Sequence, residues 1–201
     1  AGIMSSWVLP GSRTPLVGAV DVMTYPTPMS FLHTNDLAGL QEVYDLGDMF
    51  LGKIGGSMGE VSALCLLLGF LFLLGRRVIT WTIPVSYVGT VAVLTLLFPR
   101  GNDPVTWMLY NILGGGLMLG AIFMATDYVT SPVSRRGQLL YGFGCGALTV
   151  FIRYFGSYTE GVCYSILCMN LCVWLIDKYI KPRRFGVARK PIFRRKGAAE
   201  K

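Results

Sequence analysis

Few side chains in this sequence could do chemistry, and those that could are carboxylates, hydroxyls and amides set in or beside apolar runs. Asp21-Val22-Met23-Thr24-Tyr25-Pro26-Thr27-Pro28 places two hydroxyls, Thr24 and Thr27, in a proline-stiffened stretch whose composition reads as an exposed turn. Ser57-Met58-Gly59-Glu60 stands just before an apolar run, and Ser followed three residues later by Glu reads as a capping box at a helix start. The glycines around Lys53, from Gly52 to Gly56, raise the alternative of an anion held at that helix N-terminus. They lack the order G-x-x-x-x-G-K-[ST] of a phosphate loop. Asn111 and the run Gly114-Gly115-Gly116 fall inside a third apolar segment. There small residues serve close helix packing or open a cofactor or ion path lined by backbone. Asp127, among Thr126, Tyr128, Thr130 and Ser131, is either a helix stop with hydroxyl turn chemistry or an ionisable group at a membrane edge, a functional candidate. Arg153 and Glu160 bracket a short connection where snorkelling and a local ion pair suffice. Asn170, in mid-segment, is expected to hydrogen-bond between helices.

The remaining reactive types offer less. Cys65, Cys145, Cys163, Cys168 and Cys172 all lie in apolar stretches without a C-x-x-C pair, and are expected to be small buried hydrophobes. His33 is the only histidine and reads as an ordinary loop residue.

The elements that must position these groups are apolar. Of 201 residues, 53% are hydrophobic and 14% charged, with mean hydropathy +0.53; a soluble domain carries about 25% charged residues. An ordinary water-soluble enzyme is therefore excluded. Five apolar segments follow one another: Val61–Gly75, Val78–Phe98, Val105–Thr126, Leu139–Ile152 and Gly161–Ile176. A membrane-crossing helix needs roughly 20 apolar residues. The second and third, at 21 and 22 residues, pass cleanly, whereas the other three, at 15, 14 and 16, need flanking polar residues, tilt or a partly discontinuous path. Three divisions result: residues 1–53 as an extracytoplasmic segment, 54–177 as a five-helix transmembrane domain, and 178–201 as a basic tail. No basic leader with a cleavage site opens the chain, and an initial Ala in place of Met reads as processing or as a piece of something longer.

Charge placement orients the bundle. Ten of the 18 Lys and Arg lie between Lys178 and Lys201, and Arg76, Arg77, Arg135 and Arg136 fall on the same side of the alternating segments. The positive-inside rule puts that side, and the C-terminus, in the cytoplasm and residues 1–53 on the outer face. The formal charge of +7 is thus a membrane-surface feature and not a nucleic-acid footprint. An odd number of segments also inverts on duplication, the arrangement of inverted-repeat folds.

Four runs, in one order across nearly the whole chain, resemble the RnfD/NqrB family: Gly56-Ser57-Met58-Gly59-Glu60-Val61-Ser62-Ala63-Leu64, Trp81-Thr82-Ile83-Pro84-Val85-Ser86, Gly114–Pro132, and Arg153-Tyr154-Phe155-Gly156-Ser157-Tyr158-Thr159-Glu160-Gly161-Val162. The ending Lys181-Pro182-Arg183-Arg184-Phe185-Gly186 is closer to the RnfD branch than to the quinone-reducing one. The resemblance implies an all-α, urea-transporter-like fold of ten helices in two inverted halves, of which this chain would cover the second half and the loop before it. It also implies an FMN in phosphoester linkage to a Thr of a D-x-x-[ST]-G-A-T motif. Asp21, Thr24 and Thr27 occupy the matching positions, with Tyr25 and Pro26 where Gly and Ala are usual. A noncovalent riboflavin in the membrane half is a further implication. The charge-derived topology puts Thr27 on the outer side independently.

The function this implies is electron transfer through a flavin on Thr27. The chain would be a membrane subunit of an Rnf-type complex of the bacterial inner membrane, coupling electron flow between ferredoxin and NAD to Na⁺ or H⁺ movement. Its expected partners are the FMN-bearing RnfG-like subunit, the other membrane subunits and the lipid bilayer. Glu60, Asn111 and Asp127 are the candidates for an intramembrane or ion-path role. The alternatives are the quinone-reducing relative, a Na⁺-translocating NADH:quinone reductase component of the NqrB type, and a flavin-free channel of the same fold. No dinucleotide fingerprint or cysteine cluster is legible for ferredoxin or NAD on this chain.

Overall fold

A computed structural model describes residues 27–180, apart from 36, 54–58, 102 and 157. Asp21, Thr24, Ser57 and the basic tail from Lys181 lie outside the described residues. Every element described is helical: α1 (Pro28–Thr34), α2 (Leu37–Val43), α3 (Leu46–Leu51), α4 (Ala63–Gly75), α5 (Thr82–Leu97), α6 (Pro104–Leu113), α7 (Leu117–Leu119, prolonged by a π-helical turn over Gly120–Met124), α8 (Arg135–Phe155) and α9 (Val162–Tyr179).

Local chemistry accounts for the boundaries. Pro28 and Pro104 open α1 and α6 at the position where a missing N–H costs nothing. Helix α3 closes on Gly52 at φ +93°, the left-handed conformation that Gly adopts freely. Ser62, not Ser57, caps α4 by accepting from the Cys65 N–H at 3.3 Å. The capping box expected over Ser57–Glu60 is thus displaced, because the chain from Gly59 (φ +95°) to Val61 is turn and bend, not helix. Ser134 caps α8 by accepting from the Gly137 N–H at 3.0 Å. Ser134→Ala is expected to cost about 1 kcal/mol locally, read as roughly fivefold faster hydrogen exchange at the Gly137 amide with the helix centre unchanged.

The apolar segments become helices of lengths other than those read from the sequence. Helix α8 runs for 21 residues, not 14, because Arg135–Gln138 forms its first turn and Arg153–Phe155 its last. Helix α5 is 16 residues, since Val78–Trp81 leads in as bend and turn and Phe98 already lies past its last turn. The third segment, expected to pass cleanly, is broken: α6 and Leu117–Met124 meet at 64°. Among the described residues, α9 is long and apolar enough to cross a membrane, and the bent pair passes the same test if counted as one span.

Three cores hold the helices. The largest joins α5, α7, α8 and α9 around Tyr87, Leu117, Tyr141 and Cys145. The second packs α1–α3 on α6 through Met29, Leu40, Met49 and Trp107, so the helices before residue 53 share an interior with the third segment. The third seats α4 on α7 through Leu66, Met118 and Ile122. Outward surfaces are apolar, as with Phe72 (67% exposed), Leu171 (78%) and Trp174 (69%); a water-facing monomer seldom exposes apolar surface so continuously. Cys65, Cys163, Cys168 and Cys172 are exposed and only Cys145 is buried, against the expectation that all five are interior.

Several polar side chains inside the bundle are satisfied between helices. Tyr141 Oη donates to Asn170 Oδ1 at 2.6 Å, the interhelical bond expected of Asn170. Tyr87 Oη lies 2.7 Å from Thr149 Oγ1 and 3.0 Å from Ser165 Oγ, which are themselves 2.7 Å apart. Thr149 and Ser165 also bond to the Cys145 and Val162 carbonyls at 2.8 and 2.7 Å.

Candidate functional site

The break in the third segment is built by its glycines. Gly114 leaves α6 with extended backbone (φ −81°, ψ 143°) and Gly115 stands at φ +66°, so two successive residues refuse the helix where no Cβ would resist the change. The space is used from outside: a Cβ on Gly115 would stand 3.0 Å from Met29 Cγ, and one on Gly114 3.3 Å from Met29 Sδ. Helix α1 is thus pressed into the break.

Each half-helix meets a charge of the sign its end favours. Arg153, from the last turn of α8, donates from Nη1 to the Asn111 carbonyl at 2.6 Å, satisfying one of the free carbonyls that close α6. Glu60 lies at the start of the second half, where a Cβ on Gly116 would be 3.0 Å from its Oε2. Asn111 is buried, but its side-chain amide serves its own helix, Nδ2 donating to the Trp107 carbonyl at 2.9 Å.

Arg153 does not snorkel, contrary to expectation. It is 5% exposed, and its Nε donates to the backbone carbonyl of Glu160 at 3.2 Å, in place of a carboxylate pair. Its Nη2 is buried and unbonded, which costs about 1–3 kcal/mol. Nη2 faces the break, 3.5 Å from where a Gly115 Cβ would be. It borders a small pocket of about 10 Å³, room for about one water, whose walls include Met29 and Leu32 of α1, Trp107 and Asn111 of α6, and Tyr154 of α8.

Three sets of contacts border the pocket. His33, in the last turn of α1 and not in a loop, holds the Gly156 carbonyl through Nε2 at 3.2 Å. Arg100, from the α5–α6 connection, lies 4.4 Å over the Tyr154 ring. Tyr154 Oη accepts from Trp107 Nε1 and donates to the Phe98 carbonyl, both at 2.9 Å.

Thr27 is exposed at the N-cap of α1, two residues before Met29. Its carbonyl is fixed by Ser30, whose N–H and Oγ donate to it at 2.9 and 2.7 Å, while its own side chain makes no capping bond. Asp127 stands apart from this group. It is an exposed turn residue that accepts from Thr130 Oγ1 at 3.3 Å, with its carbonyl accepting from the Ser131 N–H. The structure therefore gathers Glu60 and Asn111 at the break, brings Thr27 close through α1, and leaves Asp127 as a helix-stop residue.

Two features escaped the sequence reading. One is the inward course of Arg153, for which the third segment's glycine run was the available signal. The other is Gly142-x-x-x-Gly146, a small-residue spacing on α8 that lets α5 approach backbone to backbone.

An all-helical bundle with an apolar exterior and a broken helix, its two inner ends met by an arginine and a glutamate, defines a membrane-type fold of the kind that builds sites at helix breaks. Residues 1–186 match the NQR2, RnfD, RnfE family, and the chain belongs to that family. It is 41% identical over 191 residues to the D subunit of the Na⁺-translocating ferredoxin:NAD⁺ oxidoreductase complex of Acetobacterium woodii, covering 94% of this chain and 57% of that one. It is also 41% identical over 201 residues to the D subunit of the proton-translocating ferredoxin:NAD⁺ oxidoreductase complex of Clostridium ljungdahlii, covering 94% and 60%. With the D subunit of the ion-translocating oxidoreductase complex of Stutzerimonas stutzeri it shares 38% identity over 205 residues, covering 91% and 58%. The chain thus spans less than two thirds of the length of each of these relatives.

Proposed function

We propose that this chain is the flavin-bearing part of a membrane electron-transfer subunit in an ion-translocating ferredoxin:NAD⁺ oxidoreductase complex of the bacterial inner membrane. The observation that carries the reading is Thr27: a family member presents, where the flavin-bearing threonine is expected, a hydroxyl that is exposed and makes no capping bond, on a backbone fixed by Pro28 and Ser30. The residues fit a phosphoester-linked FMN, which would supply the electron-carrying chemistry when bound. The chain's own work is to hold the attachment turn rigid and to keep a polar pocket beside it.

The proposed architecture is five crossings, α4, α5, the α6–α7 pair, α8 and α9, forming one half of an inverted-repeat fold. Residues 1–53 lie on the outer face and the basic tail lies inside. The tying of α1 to the Gly156 carbonyl at one end, and of Thr80 to Gln138 beside Arg135 and Arg136 at the other, supports that orientation. The complex's other subunits, including an FMN-bearing neighbour that exchanges electrons with Thr27's flavin, and the surrounding lipid cover the apolar exterior. Na⁺ or H⁺ is the coupling ion, and a noncovalent riboflavin belongs to the same reading.

The test is in-gel flavin fluorescence of the wild-type, full-length subunit after denaturation. A fluorescent band at its mass is the expected result. A dark band from cells that express the flavin transferase would overturn the covalent site and favour the flavin-free transporter reading.

A further inference from the structure

The end of the bundle where α4 closes and α5 and α8 open gathers cations that no carboxylate answers. Arg76 and Arg77 follow α4, and Arg135 and Arg136 open the first turn of α8. All four are exposed. Among the described residues the ion pair is Lys53 with Asp48, elsewhere in the chain, so none of the four has a carboxylate within 4.0 Å. Local stability does not account for their placement. Arg77 stands at φ +56°, just past a helix end where Gly is usual and any other side chain is strained. Arg135 and Arg136 stand at the positive end of the α8 dipole, in a turn without an acidic residue. A demand for positive charge on this surface accounts for both.

Contacts hold the two pairs on adjacent elements. Thr80 Oγ1 donates to Gln138 Oε1 at 3.3 Å, and each arginine lies no more than about 14 Å of chain from that bond. Ser86 Oγ donates to the Leu139 carbonyl at 2.9 Å and keeps α5 against α8 just beyond it. Past the bond the surface changes in the same sense on both elements. Trp81, 62% exposed, follows Thr80, and the exposed Leu139 and Leu140 follow Gln138. Cations first and apolar side chains next, in parallel along two elements, is the polarity of a phospholipid with its headgroup before its acyl chains. The acidic face of a protein would satisfy the arginines but has no use for the apolar surface beyond them.

We infer that this end of the bundle binds an anionic phospholipid, its phosphate between the Arg76–Arg77 and Arg135–Arg136 pairs and its acyl chains over Trp81, Leu139 and Leu140. The planar fork of arginine matches phosphate oxygens and suits the task better than a lysine would. Because helices fix the arginines, the lipid stays with the protein when the bilayer is removed, unlike lipid drawn diffusely to a basic surface. The inference rests on the proposed crossings, which set this end at a headgroup layer, and is independent of the flavin at Thr27.

The experiment is quantification, by mass spectrometry, of the phospholipid that stays with the full-length subunit through washing in detergent. Wild type is expected to retain a stoichiometric anionic phospholipid. Arg76→Gln with Arg77→Gln, and Arg135→Gln with Arg136→Gln, should each retain roughly tenfold less. Arg194→Gln with Arg195→Gln removes the same charge from the tail and should retain the wild-type amount. Where the paired variants fail to accumulate, delipidated wild type gives the second reading: added cardiolipin should raise its melting temperature well above the effect of added phosphatidylcholine. Unmoved retention in either paired variant, an equal loss in the tail variant, or equal shifts with the two lipids overturns the site. Unmoved lipid with loss of copurifying subunits from the paired variants also overturns it, in favour of an acidic protein face. Recovery of wild type without detergent, from the soluble fraction, overturns the crossings and the lipid site together.

Discussion

Thr27→Ala in the assembled complex is expected to erase covalent flavin from this subunit and reduce ferredoxin-to-NAD⁺ electron transfer to background, with the complex still assembled. The sharp split between chemistry and stability follows from the structure. Thr-to-Ala at a functioning N-cap costs about 0.5–2 kcal/mol, but the Thr27 hydroxyl makes no capping bond, so the change removes a reactive oxygen and little else. Thr27→Ser keeps a hydroxyl on the same fixed carbonyl and should restore part of both signals. In-gel fluorescence, native gel mobility and electron transfer read the three quantities separately. Full electron transfer in Thr27→Ala would end the role assigned to this residue.

Gly146→Ile should be more damaging to the protein itself, preventing its accumulation in the membrane. A Cβ on Gly146 would stand 2.7 Å from Thr90 Cβ and 3.0 Å from the Tyr87 carbonyl, and one on Gly142 2.8 Å from Ser86 Cβ and 3.0 Å from the Ile83 carbonyl. These obstacles are backbone and the first side-chain atom, which cannot turn aside. Helix α5 would have to move off α8, breaking the Ser86 Oγ donation to the Leu139 carbonyl at 2.9 Å and the largest core. Overpacking by a methyl costs about 1–3 kcal/mol; a sec-butyl group at this crossing exceeds what a protein with about 5–15 kcal/mol in hand can absorb. Two controls share the chemistry without the obstacle. Gly144→Ala meets only the flexible end of Met169, and Gly89→Ala meets nothing within 4 Å. Membrane levels near wild type for both, against loss for Gly146→Ile, is the expected pattern. Equal levels for all would remove the crossing as a determinant of folding.

The apolar segments were legible because composition and run length suffice for them: each segment contains a helix. Asn170 was legible for the same reason, since an amide inside an apolar run has few partners other than a facing helix. What stayed hidden depends on contacts distant in sequence. The helix break needs Met29 to fill the gap at Gly114 and Gly115, some 85 residues onward. Arg153 turns inward because a carbonyl at Asn111 awaits it, and nothing near it in sequence says so. The capping residue of α4 moved from Ser57 to Ser62 because both are serines before an apolar run, and propensity alone does not choose between them.

The buried triangle of Tyr87, Thr149 and Ser165 carries a consequence in proton counting. Each hydroxyl has one hydrogen to give, so three hydrogens serve five close oxygen contacts: the triangle's three sides and the carbonyls of Cys145 and Val162. Several assignments satisfy the same number of bonds, and they interconvert by turning O–H vectors with every heavy atom in place. The interior of the bundle therefore contains a small reorientable dipole. When charge appears or disappears nearby, the interior can answer by rotating hydroxyls, without repacking a helix.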